Sequence, residues 1–124
     1  MAWNVCIAKS AAEPASFRAS RTRIQLGRMK EVIDRNGQVV RRNDLAFADN
    51  GDEVNSTVGR AHATIFFDEE TGEYRIADER SRFGTRIFRD SRSIEVPPGK
   101  PRGIKLRSGD EIYLGRACLR FSLG

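Results

Sequence analysis

The chain alternates short apolar segments with polar turn signals over most of its length. Near the C-terminus, Ala117, Leu119, Phe121 and Leu123 occupy every second position, which is the period of a strand with one buried face. Short segments rich in β-branched and aromatic residues also occur at 63–67, 74–76, 111–114 and, less regularly, 85–88. Many short strands separated by turns are typical of an all-β domain, so the pattern predicts a sandwich or a barrel.

Turn-forming residues mark the connections between these segments. Asn36-Gly37 predicts a two-residue hairpin, because both residues tolerate the left-handed conformation that such turns require. Residues 68–72 end in glycine and predict a longer hairpin turn. Residues 96–101 contain three prolines and predict an extended loop.

One short segment also fits a helix. Leu26, Met29 and Ile33 are spaced by three and four residues, as on one face of a helix. The segment is short, starts beside Gly27 and runs into the Asn-Gly turn at 36–37, so it lacks room for several helical turns. We favour extended structure there and keep a helix as the alternative.

Charge adds a property that the hydrophobic pattern does not show. The 124 residues carry 22 Lys and Arg against 17 Asp and Glu, a formal net charge of +5, and 18 of the basic residues are Arg. The planar guanidinium matches carboxylate and phosphate oxygens with two parallel hydrogen bonds. The excess therefore indicates an anionic partner, with an ordinary solvated basic surface as the alternative.

The cysteines and the N-terminus bear on the compartment. Cys6 and Cys118 are too few and too far apart for a disulfide framework or a zinc motif, which favours a reducing compartment. The opening residues have no basic leader, and no apolar run approaches the roughly 18 residues of a membrane span. We expect a soluble, cytoplasmic protein that does not contact membranes.

Five short motifs follow one another along the chain, and their order is informative. They are Leu26-Gly27-Arg28, Asn43-Asp44-Leu45, Gly59-Arg60-Ala61-His62-Ala63, Ser81-Arg82-Phe83-Gly84-Thr85, and Ser108-Gly109-Asp110-Glu111-Ile112 before Leu114-Gly115. In this order, and with strand-like segments between them, they resemble the forkhead-associated (FHA) domain family over residues 24–123.

The resemblance implies a specific architecture. It predicts one domain over residues 1–124, an all-β sandwich of two packed, mainly antiparallel sheets with about 11 strands. Residues 1–23 would supply the first strand and its connecting loop, with Trp3, Val5 and Ile7 facing the core. Cys6 and Cys118 would then lie on neighbouring terminal strands. They could lie close together, but we favour two ordinary thiols with no special relation.

The resemblance also implies a function, because FHA domains bind phosphothreonine peptides through loops at one end of the sandwich. Arg28 matches the family arginine that reaches the phosphate, where a fixed guanidinium gives charge-assisted hydrogen bonds to the dianion. Arg60 and Arg82 match positions in adjoining loops that face the ligand. The residues expected to contact the phosphopeptide are Arg28, Gly59, Arg60, Ser81, Arg82 and Phe83.

Four other matched residues are expected to support the site rather than touch the ligand. Gly27 precedes the phosphate-binding arginine, and His62 is expected to brace the binding loop through hydrogen bonds. Gly84 permits a tight backbone path and Thr85 holds the turn.

Two residues depart from the family pattern at the site. Gly59 stands where the family usually has a serine that bonds the phosphate, and Phe83 stands where an asparagine usually bonds the peptide backbone. Ser56 or Thr57 offers a hydroxyl from the same loop, and Phe83 offers an apolar contact. We expect phosphothreonine binding, with a phosphate-independent protein-binding surface on the same fold as the alternative.

Other classes of function fit less well. Aromatic residues make up only 8% of the chain and no recognition helix or stacking motif is present, which disfavours nucleic-acid binding. The single histidine leaves no spare base for nucleophilic catalysis, and Gly99-Lys100 runs into Pro101, unlike a phosphate-binding loop.

Acidic residues at 68–70 and 110–111 are expected in solvent-exposed turns rather than in a catalytic pair or a cation site. We therefore expect no enzyme activity, no cofactor and no metal. The expected partner is a phosphorylated protein, and the domain is expected to be monomeric or a module of a larger protein.

Overall fold

The computed structural model describes the backbone of residues 4–8 and 14–18, and both backbone and side chains of residues 23–48 and 51–123. These residues form thirteen strands and one short 3-10 helix. The strands are β1 (Asn4–Ala8), β2 (Pro14–Arg18), β3 (Arg23–Arg28), β4 (Glu31–Ile33), β5 (Val39–Arg42), β6 (Leu45–Phe47), β7 (Ala63–Asp68), β8 (Glu73–Asp78), β9 (Thr85–Arg89), β10 (Arg92–Glu95), β11 (Ile104–Lys105), β12 (Glu111–Leu114) and β13 (Ala117–Leu123); the 3-10 helix is Asn55–Thr57.

The strands form two large sheets and a separate hairpin. One sheet has six strands in the order β10-β9-β12-β13-β1-β2, and the other has five in the order β11-β8-β7-β3-β6. Neighbouring strands pair antiparallel except β3 and β6, which are parallel. The two large sheets together contain eleven of the described strands, which confirms the predicted all-β sandwich of two mainly antiparallel sheets.

Alternation of side chains between the two faces of each sheet builds the core. Ile65 on β7 and Ile76 on β8 point inward from the five-stranded sheet, and Leu119 and Phe121 on β13 meet them from the other sheet; all four are fully buried. The alternation predicted for residues 117–123 is confirmed, since Ala117, Leu119 and Phe121 are buried and Arg120 is exposed. Because these inward faces are fixed by packing, the loops at the sheet ends have a stable base.

The segment at residues 26–33 is extended, and the alternative of a helix there is wrong. Met29 lies between β3 and β4 and has a φ of 73°. This left-handed conformation ends β3 and is incompatible with a right-handed helix. The hairpin that follows also differs from the two-residue turn predicted at Asn36-Gly37. Five residues, 34–38, separate β4 from β5 because the Asp34 carboxylate accepts hydrogen bonds from the N–H groups of Asn36 and Gln38.

The other two connections agree with the sequence pattern. Residues 68–72 form the turn between β7 and β8, with Gly72 at a φ of 70° and its N–H donating to Asp68 O. Residues 96–101 form a loop, apart from one isolated bridge between Asp78 and Pro98.

Two described strands, β1 and β2, precede β3, where we predicted a single strand and a connecting loop over residues 1–23. β1 pairs antiparallel with β2 on one side and with β13 on the other, so the segment adds a hairpin to the edge of the six-stranded sheet. The predicted inward orientation of Trp3, Val5 and Ile7 concerns side chains outside the described residues.

The two cysteines lie on neighbouring strands but at different levels. Cys6 is paired with Ser122, and Cys118 lies four positions before Ser122 on β13, about 13 Å away along the strand at ~3.3 Å per residue. Burial raises the pKa of the Cys118 thiol, which keeps it protonated. This arrangement favours two ordinary thiols.

Asp110 is not in a solvent-exposed turn, and that expectation is wrong. It is only 2% exposed and accepts hydrogen bonds from Arg89 Nε at 2.8 Å, Arg89 Nη2 at 2.6 Å and the Arg107 N–H at 2.8 Å. The carboxylate raises the pKa of Arg89 and fixes the start of β12 against the end of β9.

Among the described residues, no helix is long and apolar enough to cross a membrane.

Candidate functional site

Three segments meet at one end of the sandwich: the C-terminal end of β3, the loop between β6 and β7, and the loop between β8 and β9. Arg28 is the last residue of β3 and is half-buried. Its backbone N–H donates to Gly59 O at 2.9 Å, and its Nη1 donates to Ser56 O at 3.0 Å. The β6–β7 loop therefore holds the guanidinium of Arg28 in a defined place.

His62 joins two of these loops. Its Nδ1 accepts a hydrogen bond from the Gly59 N–H at 2.8 Å, and its Nε2 lies 2.9 Å from Gly84 O. This pattern requires the neutral ring with the proton on Nε2, because Nδ1 accepts and a carbonyl oxygen only accepts. The ring is fully buried, so the bracing role expected of His62 corresponds to a buried link between the β6–β7 and β8–β9 loops.

The protonation of His62 makes domain stability depend on pH. Burial lowers the pKa of His62 below its ordinary value of 6.5, and Arg41 acts in the same direction, although Asp78, Glu79 and the Gly84 carbonyl oppose the change. Below pH 6.5 the unfolded chain binds a proton that the folded domain does not. The free energy of unfolding is expected to fall as the pH decreases from 6.5 towards the folded pKa, by up to about 1.4 kcal/mol per pH unit.

Urea unfolding of the wild type and His62→Gln from about pH 5 to pH 7.5 measures this effect. His62 is the only histidine in the chain, so the variant should lose the pH dependence in that window while the wild type keeps it. An equal slope in both proteins would assign the effect to another group.

Asp78 organises the β8–β9 loop from within. Its carboxylate is 2% exposed and accepts hydrogen bonds from the Ser81 N–H, the Ser81 hydroxyl and the Thr85 hydroxyl, the last at 2.6 Å. The Ser81 oxygen in turn accepts from the Gly84 N–H at 3.0 Å. Gly84 has a φ of 82°, a conformation that favours glycine, so the tight backbone path expected there is present.

Gly27 is required because the backbone of the next loop approaches it closely. A Cβ on Gly27 would lie 2.2 Å from Arg60 O and 2.7 Å from Asn43 Nδ2. The buried Asn43 amide donates to Arg60 O and to Met29 O, both at 2.8 Å, and so ties β3 to the β6–β7 loop. The close contact explains why the residue before Arg28 has no side chain.

Arg41 completes this support, and sequence reasoning missed it together with Asp78. Its side chain is 10% exposed; Nη1 lies 2.6 Å from Glu79 Oε2 and Nε donates to Asn43 Oδ1 at 2.7 Å. Arg41 thereby connects the β4–β5 hairpin to the site, although it lies 38 positions before Glu79 in the sequence. No local motif marks such a contact, and only the proximity of Arg41 to the Asn43 motif in sequence was a signal.

Three of the six residues expected to face the ligand are exposed around this framework, and the other three are half-buried. Arg60 and Arg82 are exposed cations on the two adjoining loops. Phe83 is 56% exposed, and the guanidinium carbon of Arg82 lies 5.3 Å from the centre of its ring. The site thus presents Arg28 together with exposed cations on the two adjoining loops, and an apolar ring lies beside one of these cations.

The hydroxyl groups near the site already have partners within the protein. Ser56 Oγ donates to Glu53 O at 2.8 Å, and Thr57 Oγ1 donates to Val54 O at 2.6 Å and accepts from the Arg116 N–H at 2.8 Å. Ser81 is committed to Asp78. In this arrangement none of these three hydroxyl hydrogens points to a ligand, and Gly59 contributes no side-chain donor.

The sequence matches the FHA domain family over residues 24–115, which is most of the chain. The chain belongs to this family. FHA domains are interaction modules that recognise phosphorylated segments through arginine clusters. No curated protein sequence matches the chain.

Solved structures support the same fold. Full-length yeast Pml1p aligns with a TM-score of 0.67 and 19% identity over 99% of this chain and 82% of that one. The kinase-interacting FHA domain of the Arabidopsis kinase-associated protein phosphatase aligns with a TM-score of 0.63 and 20% identity, over 99% of this chain and 93% of that one. Mycobacterium tuberculosis EmbR in complex with a low-affinity phosphopeptide aligns with a TM-score of 0.61 and 18% identity, over 96% of this chain and 24% of that one.

The FHA domain shows no metal centre in the part of the chain that is described. No group of three or more His, Cys, Asp or Glu side chains lies there in a position to hold a metal ion.

Proposed function

We propose that this FHA domain is a protein-interaction module that binds phosphothreonine segments through the loops around Arg28. The observation that carries the proposal is the placement of Arg28, whose guanidinium is held by Ser56 O at the loop end of the sandwich. Arg60 and Arg82 add exposed positive charge from the two adjoining loops. The phosphopeptide bound by EmbR supports the same class of ligand for this fold.

The chemistry of the site suits a dianion. A phosphothreonine carries about −1.5 to −2 charge at pH 7 and three acceptor oxygens. Hydrogen bonds from a guanidinium to such oxygens contribute about 1.5–3 kcal/mol each. Because buried groups, His62 and Asp78, fix the loops before binding, little conformational entropy is lost when the ligand arrives.

Binding to a degenerate phosphothreonine peptide library and to its unphosphorylated twin tests this proposal. Fluorescence anisotropy should show binding to the phosphorylated library only. Arg28→Ala should weaken that binding by about 10-fold to 100-fold, because it removes charge-assisted hydrogen bonds to the phosphate.

Arg92→Ala is the matched control. Arg92 is exposed at the start of β10, at the opposite end of the sandwich, and its replacement removes the same charge. Its affinity should equal that of the wild type. Equal weakening by both variants would mean general electrostatic attraction, and would contradict a site at Arg28.

Restoring the family serine should strengthen binding. A Cβ on Gly59 would lie 3.5 Å from its nearest neighbour, His62 Nδ1, and Gly59 does not have a positive φ, so serine fits without strain. The added hydroxyl is expected to donate to the phosphate and increase affinity by about threefold to tenfold, equivalent to roughly 0.5–1.5 kcal/mol.

Calorimetry on Gly59→Ser with one phosphopeptide from the library measures the gain, and Gly59→Ala is the control without a hydroxyl. If both variants bind equally, the hydroxyl does not reach the phosphate.

The second candidate is phosphate-independent protein binding on the same loops. The 56% exposed ring of Phe83 favours it, because this apolar surface lies where the family usually places a hydrogen-bonding amide. Equal binding of phosphorylated and unphosphorylated libraries, weakened by Phe83→Ala and not by Arg28→Ala, would establish this candidate instead.

We further infer that residues 1–124 form one such domain, that it works in the cytoplasm on a partner marked by a protein kinase, and that it needs no cofactor.

A further inference from the structure

A cleft of about 350 Å³ lies on the outer face of the five-stranded sheet, beside the end of β8. Thr64 and Ala77 are buried in its floor, and Phe66 adds a half-buried ring. These residues alternate with the inward-facing Ile65 and Ile76, so they face away from the sandwich core. The cleft is therefore separate from the core, and Arg28 is not among the residues that line it.

Three exposed cations line this cleft: Arg23 on β3, Arg80 after β8, and Lys100 in the 96–101 loop. None of them takes part in the ion pairs formed between described residues. Elsewhere in the described chain, six cations have a carboxylate partner in an ion pair between described residues: Arg41, Arg42, Arg75, Arg89, Arg102 and Lys105.

The two carboxylates that line the cleft, Asp78 and Glu79, form no ion pair with the three cations among the described residues. Asp78 is 2% exposed and accepts hydrogen bonds from Ser81 and Thr85. Glu79 Oε2 lies 2.6 Å from Arg41 Nη1 and accepts a hydrogen bond from Thr64 Oγ1 at 3.0 Å. Its charge is thus balanced by Arg41, which is not one of the three. The cleft keeps an excess of positive charge above an apolar floor.

Backbone contacts fix the segments that carry two of the cations. Arg80 has a φ of 58°, and its side chain packs over Gly99, where a Cβ would lie 2.7 Å from Arg80 Nε. The Gly99 N–H donates to Asp78 O at 2.9 Å, which fixes the loop that carries Lys100. Since Asp78 anchors both segments, the backbone that carries Arg80 and Lys100 is positioned before any ligand binds.

We propose that this cleft is a second binding site, for an acidic segment of a partner protein. Carboxylate side chains of the segment pair with the three cations, and an apolar side chain between them covers Phe66 and Ala77. The cations come from three separate segments around an apolar floor, which suits spaced carboxylates better than a single phosphate. The apolar floor likewise favours a peptide over a nucleic acid, whose backbone offers only charge there.

The site does not depend on phosphothreonine binding, although Arg80 immediately precedes Ser81 and Arg82 of the candidate phosphate-binding loop. One partner chain can therefore occupy both. An unphosphorylated probe separates the cleft from phosphate-dependent binding at Arg28, and substitutions at Arg80 and Lys100 assign its binding to the cleft.

Fluorescence anisotropy with a short labelled peptide of Glu with interspersed Leu, and with its twin carrying Gln for Glu, tests the site on the whole chain. The wild type should bind the Glu peptide and not the Gln peptide. The double variant Arg80→Gln/Lys100→Gln should bind about tenfold more weakly. Glutamine keeps a long side chain at each position, so the change removes charge with little loss of packing.

Arg92→Gln/Arg107→Gln is the matched control, since both residues are exposed at the opposite end of the sandwich and the net charge changes equally. Urea unfolding verifies that each double variant is folded. Equal weakening in the two double variants, no discrimination between the Glu and Gln peptides, or no binding of the Glu peptide would overturn the proposal. Competition with a thymidine oligonucleotide is the last check. If the oligonucleotide displaces the labelled Glu peptide at a lower concentration than the unlabelled Glu peptide does, the proposal is overturned in favour of a nucleic acid.

Discussion

Asp110→Ala is expected to lower the free energy of unfolding by about 3–5 kcal/mol, since removing one member of a buried ion pair leaves the other charge without compensation. Arg89 would remain with a side chain 15% exposed and without the two hydrogen bonds that Asp110 accepts. The Arg107 N–H would lose its acceptor as well. A domain of this size has a total stability of about 5–15 kcal/mol, so the loss is a large share of it.

Urea unfolding compares the wild type with Asp110→Ala and, as the milder change, Asp110→Asn. Glu31→Ala is the control, because the Glu31–Arg42 pair is at the surface, with side chains 46% and 74% exposed. Glu31→Ala should lower the free energy of unfolding by less than about 1 kcal/mol. Similar losses in Asp110→Ala and Glu31→Ala would show that burial does not determine the contribution of these pairs.

Asp78→Ala is expected to affect stability and ligand binding together. It removes the acceptor of the fully buried Thr85 hydroxyl and of both Ser81 donors. Buried polar groups left without a partner cost about 1–3 kcal/mol each, so the free energy of unfolding should fall by about 2–4 kcal/mol. The released β8–β9 loop should also lose its fixed position beside Arg28, and phosphopeptide affinity should fall at least about tenfold.

Thr85→Val is the matched variant for Asp78, because it removes one hydrogen bond and keeps the shape of the side chain. It should lose less stability than Asp78→Ala and keep most of the affinity. Unfolding and anisotropy measured on the same preparations separate the two effects. If Asp78→Ala binds the phosphopeptide as tightly as the wild type does, the loop does not need this anchor.

Much of the fold was predictable because strand periodicity is a local property. Residues 117–123 alternate as a half-buried strand does, and the sandwich follows from several such segments. The turn at residues 34–38 was only partly predictable. The sequence places a turn at Asn36-Gly37, but the length of the loop depends on hydrogen bonds to the Asp34 carboxylate.

The candidate site was predictable where motifs mark it and not where support comes from afar. Arg28, His62 and the residues at 81–85 stand in motifs that resemble a known family. Arg41 and Asp78 stand outside the residues that we selected, although their side chains, 10% and 2% exposed, hold the loops of the candidate site. Asp110 stands inside a motif, yet an acidic residue beside glycine has the local character of a solvent-exposed turn.

The sequence by itself determined the class of fold, the family and the positions of the loops that we expect to face the ligand, because these depend on local periodicity, turn chemistry and the order of short motifs. The tertiary structure alone decided which charged groups are buried and paired and which remain exposed. Asp110 is buried by Arg89, 21 positions earlier, whereas Arg23, Arg80 and Lys100 come together from distant segments with no carboxylate partner among the described ion pairs. Burial and pairing arise only when strands far apart in sequence pack together, so no local pattern contains them.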